Sequence, residues 1–577
     1  MERIRKSKYL VIDTETYSNF NKREYLEAGY LKLSKVTKSK IETLNNRADK
    51  LQKEGALNTL TNKVRLLQIK LDDGKIIIID TIKEKDFFLE VLKEMPKHII
   101  IGHNLKFDIK SLYKYDKNVL SCKLLDTYIL QKLFLYQTFI NKKGADLGST
   151  LEMHLDIKLP KDQGGSDWSN PNLTEEQLEY AKNDVKYLKE LALTIFDKIH
   201  SKPIISLEMQ LLNVMIEIEL TGIKLNKDEL LKRANELEVN YLKAENKLVE
   251  AGLNPRSSKQ MIKHCSKYGL VIKSSAEKVL REKALEIPLI EEALISKKLG
   301  KEVKAIRKYV EDMQNNRLYA SFNQVGTITG RMTSYAPNVQ QIPRSIKNMF
   351  YDIKNKTILK IDYSAFQLRI ASVIMKDKVM QEAFRNNEDL HKKTASLIYH
   401  VSMEEVTKQQ RQTAKAINFG LIFGMSPRTL QEYVKGYGVE ITMGEAERFS
   451  TLYFRAYKGV KRYHNENGVK LRYEEIINVE TMFSRSIKLD KWTNANNYPT
   501  QGTEADIIKQ AIIYWNKNKT TKTAKIINII HDELIFEVDD NEVEILSKEI
   551  SYAMNEPTVR IGINYPEPTE ITILREE

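Results

Sequence analysis

A chain of 577 residues and 67.0 kDa exceeds what one core can bury, so about two to four domains are expected. Only 23 Gly and 13 Pro beside 42% hydrophobic residues exclude a disordered chain, and two cysteines, Cys122 and Cys265, exclude a disulfide framework or zinc ribbon. A net charge of +14 makes a polyanion the expected partner; with no apolar run of about 18 residues and no signal peptide in "MERIRKSKYL", a soluble intracellular protein is expected.

The first element is the apolar run Tyr9–Ile12 of "YLVIDTETY", a buried strand whose end carries Asp13 and Glu15 on one face by the period-2 rule. Two carboxylates so placed repel each other unless a cation lies between them; the plain alternative is a charged strand end in water. "IIIGHNLKFDIKSLY" gives another strand from Ile99, a polar turn, and Asp108 at a helix start. In "EEQLEYAKNDVKYLKEL", Tyr180 and Asp184 stand four apart on one helix face. Strand acid pair, turn aspartate and helical Tyr-x-x-x-Asp make a specific set of four carboxylates and one phenol.

This set resembles the DEDDy 3′→5′ exonuclease family over roughly residues 8–195. The resemblance implies that Asp13, Glu15, Asp108 and Asp184 hold two divalent ions and that Tyr180 orients the attacking water. Hard oxygen donors suit Mg²⁺, with Mn²⁺ as a substitute. Two such ions can activate water and stabilise the departing oxygen of a phosphodiester. "LKLSKVTKSKIETLNNRADKLQKEGALNTL", Lys-rich and helical in character, stands where a short connection is expected; it suits contact with nucleic acid or, the favoured reading, a solvated long helix.

After residue 195 the texture changes to long helices. Pro203 to Gly252 has apolar residues at helical spacing, broken once at Thr221 and Gly222, and reads as core packing. "NPRSSKQMIKH" offers Arg256 and Lys259 ahead of a helix, which suits contact with a phosphate backbone. "SFNQVGTITGRMTSYAPNVQQIPR" is polar and Gly/Pro-punctuated; its Arg331, Asn338, Gln340, Gln341 and Arg344 suit hydrogen bonding in a nucleic-acid groove, against the alternative of a surface loop.

In "TILKIDYSAFQLRIAS", Thr357 to Ile361 reads as a strand closed by Asp362, with Ser364 as N-cap of the next helix. Near the C-terminus "IINIIHDELIFEV" reads as a hairpin with its acids in a tight turn, where they reach solvent or metal while both arms stay buried. Between them, in "RQTAKAINFGLIFGMS", Arg411, Lys415, Phe419 and Phe423 recur every four residues. Two cations followed by two rings along one helix face suit a ligand with a polyphosphate at one end and a flat base at the other, a nucleoside triphosphate.

These three stretches, in this order, resemble motifs A, B and C of the family A DNA polymerases, and with "TGRMTSYAPNVQQIP" and "NYPTQGTEADIIK" the resemblance runs from about residue 200 to the C-terminus. It implies that Asp362 and Asp532 bind two Mg²⁺ ions with help from the Tyr363 carbonyl. Arg411 and Lys415 would meet the incoming triphosphate, with Phe419 on its base and sugar, and Phe423 and Gly424 beside the templating base. Arg331, Asn338, Gln340, Asn497, Gln501 and His531 would line the primer-template duplex. Where the family usually reads D-Y-S-Q-I-E-L-R this chain has "DYSAFQLR", so Gln367 replaces the glutamate that crowds out a ribose 2′-hydroxyl; steric exclusion is expected to survive. Phe423 replaces a common tyrosine, Phe419 implies discrimination against dideoxynucleotides, and Ser484, Arg485, Ser486 replace a usual Gly-Arg-Arg that contacts the duplex.

The expected architecture is an RNase-H-like α/β exonuclease domain over 1–195 and an α+β right-hand polymerase domain over 196–577. Its thumb is expected at about 203–315, its palm at about 316–378 and 500–577, and its fingers at about 379–499. The first strand starts so near Met1 that a Klenow-like short form without a 5′-nuclease domain is expected, as in some phage, organellar and Aquificales-type enzymes. The expected activity is DNA-templated synthesis with proofreading by a monomer. The rival is an exonuclease whose polymerase-like half only binds nucleic acid, and complete acid sets in both halves speak against it.

Overall fold

The computed structural model describes residues 1–577 except 19–24, 27–37, 140–143, 160–165, 344–345, 347–354, 565–568 and 575–577; Arg344 thus lies outside the described residues. The N-terminal sheet contains β1 (Tyr9–Tyr17), β2 (Lys63–Lys70), β3 (Ile76–Asp80), β4 (Ile99–Gly102) and β5 (Lys123–Asp126), in the order β3-β2-β1-β4-β5. β1 is antiparallel to β2 and parallel to β4, so it is the central strand. Covered on both faces, it buries Leu10, Val11 and Ile12 completely, which is why it reads as an unbroken apolar run. The Lys-rich insertion forms α1 (Lys38–Leu57), largely exposed as expected, with the Thr16 hydroxyl donating to the Ala56 carbonyl near its end at 2.8 Å. Helices α2 (Lys106–Tyr113) and α3 (Glu175–Lys186) lie beside this sheet.

Helix α4 (Lys202–Thr221) is apolar nearly all round because it serves two cores. Leu207, Leu212 and Ile216 pack into the N-terminal core, whereas Leu211, Val214, Met215 and Ile218 pack into the C-terminal one. Its two buried glutamates divide in the same way. Glu219 pairs with Lys106 and with Lys110 (2.8 Å) of α2, while Glu208 pairs with Arg485 (2.6 Å) and Lys509 (2.5 Å) of the C-terminal half. The predicted break at Gly222 is real: φ is +62° there, and a Cβ would meet the Tyr319 ring at 2.7 Å.

Two long helices follow, α5 (Lys227–Glu250) and α6 (Ile290–Asp312), packed together and carrying a small separate core around Leu248, Met261, Cys265 and Ile290. The second sheet is built from β6 (Lys356–Tyr363), β7 (Lys525–Ile530), β8 (Glu533–Asp539) and β9 (Thr569–Leu574), all antiparallel in the order β7-β8-β6-β9. Between β6 and β7 the described chain begins with α7 (Phe366–Ile374) and, further on, α8 (Lys408–Ile422), and ends with α9 (Trp492–Asn518); α10 (Val543–Arg560) follows β8. Trp515 of α9 meets Phe536 of β8 edge-on at 4.9 Å, and burial of two such side chains stabilises the layer by roughly 2–3 kcal/mol each. Ser364 does not cap α7. Ala365 occupies the N-cap in the left-handed region, and the Ser364 carbonyl instead accepts Arg369 Nε at 2.9 Å.

Candidate active sites

The first acid cluster forms where β1, α2 and α3 meet. Asp13 and Glu15 share a face of β1, and the register with β2 slips just after Glu15. Asp184 is presented by α3, whose start is fixed by a capping box between Thr174 and Gln177. Carboxylate oxygens of Asp13, Glu15 and Asp184 lie within 4.8 Å of one another. Asp108, third residue of α2, is buried and accepts the Thr14 hydroxyl at 2.6 Å. Burial pushes Asp108 up to about 7, and burial together with the charge of Asp108 pushes Asp13 well above the carboxylate range. Tyr180 sits one turn before Asp184, its ring 6.4 Å from that of Trp168. Asp13, Glu15 and Asp184 are thus gathered at one place, where their hard oxygen donors fit a divalent cation; Asp108 stands beside Thr14 of the same strand and outside that group of three.

Asp126, at the end of β5, was not among the expected residues. Fully buried, it accepts the amides of Asn104 and Leu105 at 2.9 Å each and of Tyr128 at 2.8 Å. It thus ties down the turn that leads into α2 and sets where Asp108 stands. An Asp closing an apolar strand ahead of a helix was its one visible signal.

The second cluster lies at the ends of β6, β7 and β8. Asp362 is the last residue but one of β6. The hairpin turn is two residues long, His531 with φ +56° and Asp532, because Ile530 pairs with Glu533. Glu533 is not in the turn as expected; it opens β8 and is neutralised by Lys360 at 2.8 Å, which also stands 3.3 Å from Asp362. Burial pushes Asp532 up to about 7, with the charges of Glu504 and then Asp362 adding to it. The Tyr363 side chain has a structural role: buried, its hydroxyl donates to the Met554 carbonyl at 2.5 Å and its ring stacks on Phe366 at 3.7 Å.

Next to this strand end opens a cavity of about 400 Å³, bordered by Ser364 and Ala365 on one side and by Arg411, Lys415 and Phe419 of α8 on another. Asp389, which caps the preceding helix, orients Arg411 through a 2.7 Å bond to Nε. His391 lines the same cavity with its ring 5.9 Å from Phe419, and sequence reasoning missed it. Its Nδ1 accepts from the Asn418 amide at 2.9 Å, and burial pushes its pKa down to about 4. Phe423 is not the fourth residue of the helical stripe; it follows the end of α8 and does not line the cavity. Gly424 is needed just after it: with φ +88°, a Cβ would stand 2.6 Å from the Trp492 ring. A larger cavity of about 680 Å³ lies between α4, α9 and α10; Glu556 and Arg560, its lining's one acid and one of its two cations, pair with each other.

The expected duplex-facing residues divide. Arg331 pairs with buried Glu504, Nε to Oε2 at 3.0 Å. The Gln340 side chain is occupied within the protein, accepting from Ser334 N at 3.0 Å and donating to the Ile529 carbonyl at 2.8 Å, and Asn338 accepts the Ser334 hydroxyl at 3.0 Å. Gln340 thus seats residues 332–340 on β7, while Asn338 braces the same loop from within. His531 and Lys259 are exposed; Asn497 and Gln501 are half-buried, and Asn497 Oδ1 has no hydrogen-bond partner among the described residues. Arg256, more than half exposed, bonds Glu245 at 3.1 Å and Tyr241 at 2.8 Å. Arg485 turns inward, buried against Asp506 and Glu208 at 2.6 Å, so the Ser-Arg-Ser segment offers no arginine to a duplex.

Residues 225–571 match the family model of DNA polymerase family A, and residues 53–202 match that of the 3′-5′ exonuclease. The latter begins after β1, so Asp13 and Glu15 join that site through their geometry with Asp184. DNA polymerase I of Aquifex aeolicus is 31% identical over 84% of this chain and 88% of that relative. DNA polymerase I of Borreliella burgdorferi is 30% identical over 96% of this chain, which spans 62% of it; for the Bacillus subtilis enzyme, at 32% identity, the shares are 60% and 43%. The solved POL domain of Pol1 from M. smegmatis, in complex with DNA primer-template and dNTP, superimposes with a TM-score of 0.76 at 22% identity, covering 89% of this chain and 92% of that one; it shares the fold. Two acid clusters on two sheets, each inside the segment or beside the segment its family model matches, leave one assignment: this chain belongs to DNA polymerase family A and carries a 3′-5′ exonuclease domain ahead of its polymerase domain.

Proposed function

We infer that this chain extends the 3′ end of a primer on a DNA template with deoxynucleoside triphosphates, and removes mismatched ends with its N-terminal half. The observation that carries the reading is the pairing of the Asp362/Asp532 strand ends with a cavity lined by Arg411, Lys415, His391 and Phe419. Boundaries near 195, 315, 378 and 500 are proposed for the exonuclease domain and for thumb, fingers and palm.

Asp362 and Asp532 would hold divalent cations at the polymerase site, and Asp13, Glu15, Asp108 and Asp184 at the exonuclease site, with Mg²⁺ the proposed ion and Mn²⁺ its substitute. Such ions supply charge that activates the attacking oxygen and offsets charge on the departing one. The chain's own residues do the positioning. Arg411, held by Asp389, and Lys415 bind the triphosphate as point charges along one face of α8. His391 is neutral at pH 7 and, because Nδ1 accepts from Asn418, carries its proton on Nε2 as a further donor to that anion. Phe419 packs on base and sugar, Gln367 crowds the sugar's 2′ side, and Phe423 with Gly424 borders the templating base. Arg331, His531, Asn497 and Gln501 face the duplex near the primer end, and Arg256 and Lys259 contact its backbone further off. At the other site Tyr180 orients the attacking water. No described helix is long and apolar enough to cross a membrane.

The test uses purified protein and a labelled primer-template with a mismatched 3′ end, in Mg²⁺ with and without the four deoxynucleotides. Shortening without nucleotides, and excision followed by full-length extension with them, is expected. Shortening in both conditions, with a matched primer also left unextended, would make the polymerase half an inert binding scaffold.

A further inference from the structure

Gln367 is the second residue of α7, and its partner is not solvent. Its amide Nε2 donates to Glu504 Oε1 at 3.1 Å. Glu504, on α9, is 1% exposed, and its other oxygen accepts Arg331 Nε at 3.0 Å. One buried carboxylate thus gathers donors from three separated segments: the loop at 331, the helix start at 367, and α9. The charge of Glu504 also adds to the upward push of burial on Asp532.

A carboxylate accepts only, so it fixes which way the Gln367 amide points: Nε2 toward Glu504, and Oε1 away from it. A glutamate at 367, the residue usual in this family, would set two carboxylates against each other at hydrogen-bond distance in a site with little water, and one would have to stay protonated. A free glutamine would be able to flip and to change rotamer. Residue 367 and residue 504 therefore form one unit with a single negative charge shared between them.

We propose that Glu504 is a positioning residue for sugar selection: this chain has moved the gate's carboxylate from position 367 to α9, where it locks Gln367 against the sugar of the incoming nucleotide and is itself held by Arg331. The proposal rests on the nucleotide-binding reading above. Glu504 does not touch the reacting atoms; it acts through Gln367, whose rigidity determines how completely a 2′-hydroxyl is refused.

The experiment compares wild type, Glu504→Gln, Gln367→Glu, the exchanged double variant Gln367→Glu/Glu504→Gln, and Gln367→Ala. Single-nucleotide insertion gives the ratio of kcat/KM for a deoxynucleotide over its ribonucleotide, and melting gives Tm for each protein without nucleotide. Exonuclease activity on single-stranded DNA serves as the folding control. Glu504→Gln is expected to lower the ratio about tenfold, the effect of one lost charge-assisted hydrogen bond, toward the Gln367→Ala floor. Gln367→Glu should lower both Tm and deoxynucleotide kcat/KM, and the double variant should restore both, with a ratio within about threefold of wild type. A wild-type ratio in Glu504→Gln, or a double variant no better than Gln367→Glu, overturns the proposal while leaving the polymerase reading intact. Absence of any primer extension by wild type overturns the polymerase reading and this proposal with it.

Discussion

The two acid clusters hold their charge in different surroundings. At the N-terminal site, Asp13, Glu15 and Asp184 converge, Asp108 accepts the Thr14 hydroxyl beside them, and burial drives Asp13 and Asp108 upward. At the polymerase site the acids are interleaved with cations: Lys360 spans Asp362 and Glu533, and Arg331 holds Glu504. The first site is an acid pocket whose charge calls for ions from solution. In the second, part of the compensation is built into the fold and the remainder comes with ions and substrate. Metal dependence is thus a property of each cluster's surroundings and not only of its acid count.

The largest effects should separate the two clusters cleanly. Asp184→Asn is expected to lower exonuclease rate on the order of 10³-fold and leave extension of a matched primer unchanged, and Asp532→Asn should do the reverse. Both are read with one labelled primer-template. Loss of both activities from either change would mean that the clusters do not act independently. Next in size, Arg411→Ala should raise KM for the deoxynucleotide roughly 10–100-fold with a smaller change in kcat, since it removes a charge-assisted contact made in ground state and transition state alike. A fall in kcat at constant KM would instead give Arg411 a role confined to the transition state.

A subtler expectation follows from Lys360. A cation 3.3 Å from Asp362 opposes a divalent ion at the same carboxylate, so Lys360→Ala should lower the Mg²⁺ concentration for half-maximal extension by about 3–10-fold. The exonuclease acids stand at the other sheet, away from Lys360, and should keep their own Mg²⁺ requirement. An unchanged or raised requirement for extension would show that Lys360 neutralises Glu533 alone.

What the sequence disclosed follows the same division. Acids at strand ends, in a turn, or four residues from a tyrosine on a helix were legible because local periodicity decides which face they occupy, and Asp13, Glu15 and Asp184 meet accordingly. Residues defined by distant partners were not. Asp126 reads as a helix cap, but its bonds to Asn104 and Leu105 come from across β4 and β5. His391 looked like any polar residue in an amphipathic helix, and Glu504 like one charge in a polar stretch, until α8 and α7 were packed beside them. The same holds for Gln340, whose bond to the Ile529 carbonyl of β7 no local pattern announced. The all-round apolar pattern of α4 signalled burial without revealing that two cores share it.

The smallest expected effect concerns the pH at which the N-terminal half loosens. His103 bridges the Thr127 hydroxyl and the Ala145 carbonyl at 2.8 Å each, and burial pushes its pKa down to about 4 from an ordinary 6.5. The unfolded chain therefore takes up a proton between pH 6.5 and 4 that the folded one refuses, so stability is fully present above 6.5 and is lost as pH falls through that window. Between pH 7 and 5 the loss attributable to His103 should be about 1–2 kcal/mol, up to ~1.4 kcal/mol per pH unit. His103→Gln is expected to be less stable at pH 7, having lost a bridging ring, yet to lose less on acidification, so the urea midpoints of the two proteins should draw together at pH 5. His154 and His391 are also pushed down to about 4 and persist in the variant, so the acid dependence should be reduced and not abolished. Parallel midpoints at the two pH values would show that the ring is protonated in the folded protein, and that the bridge survives its charge.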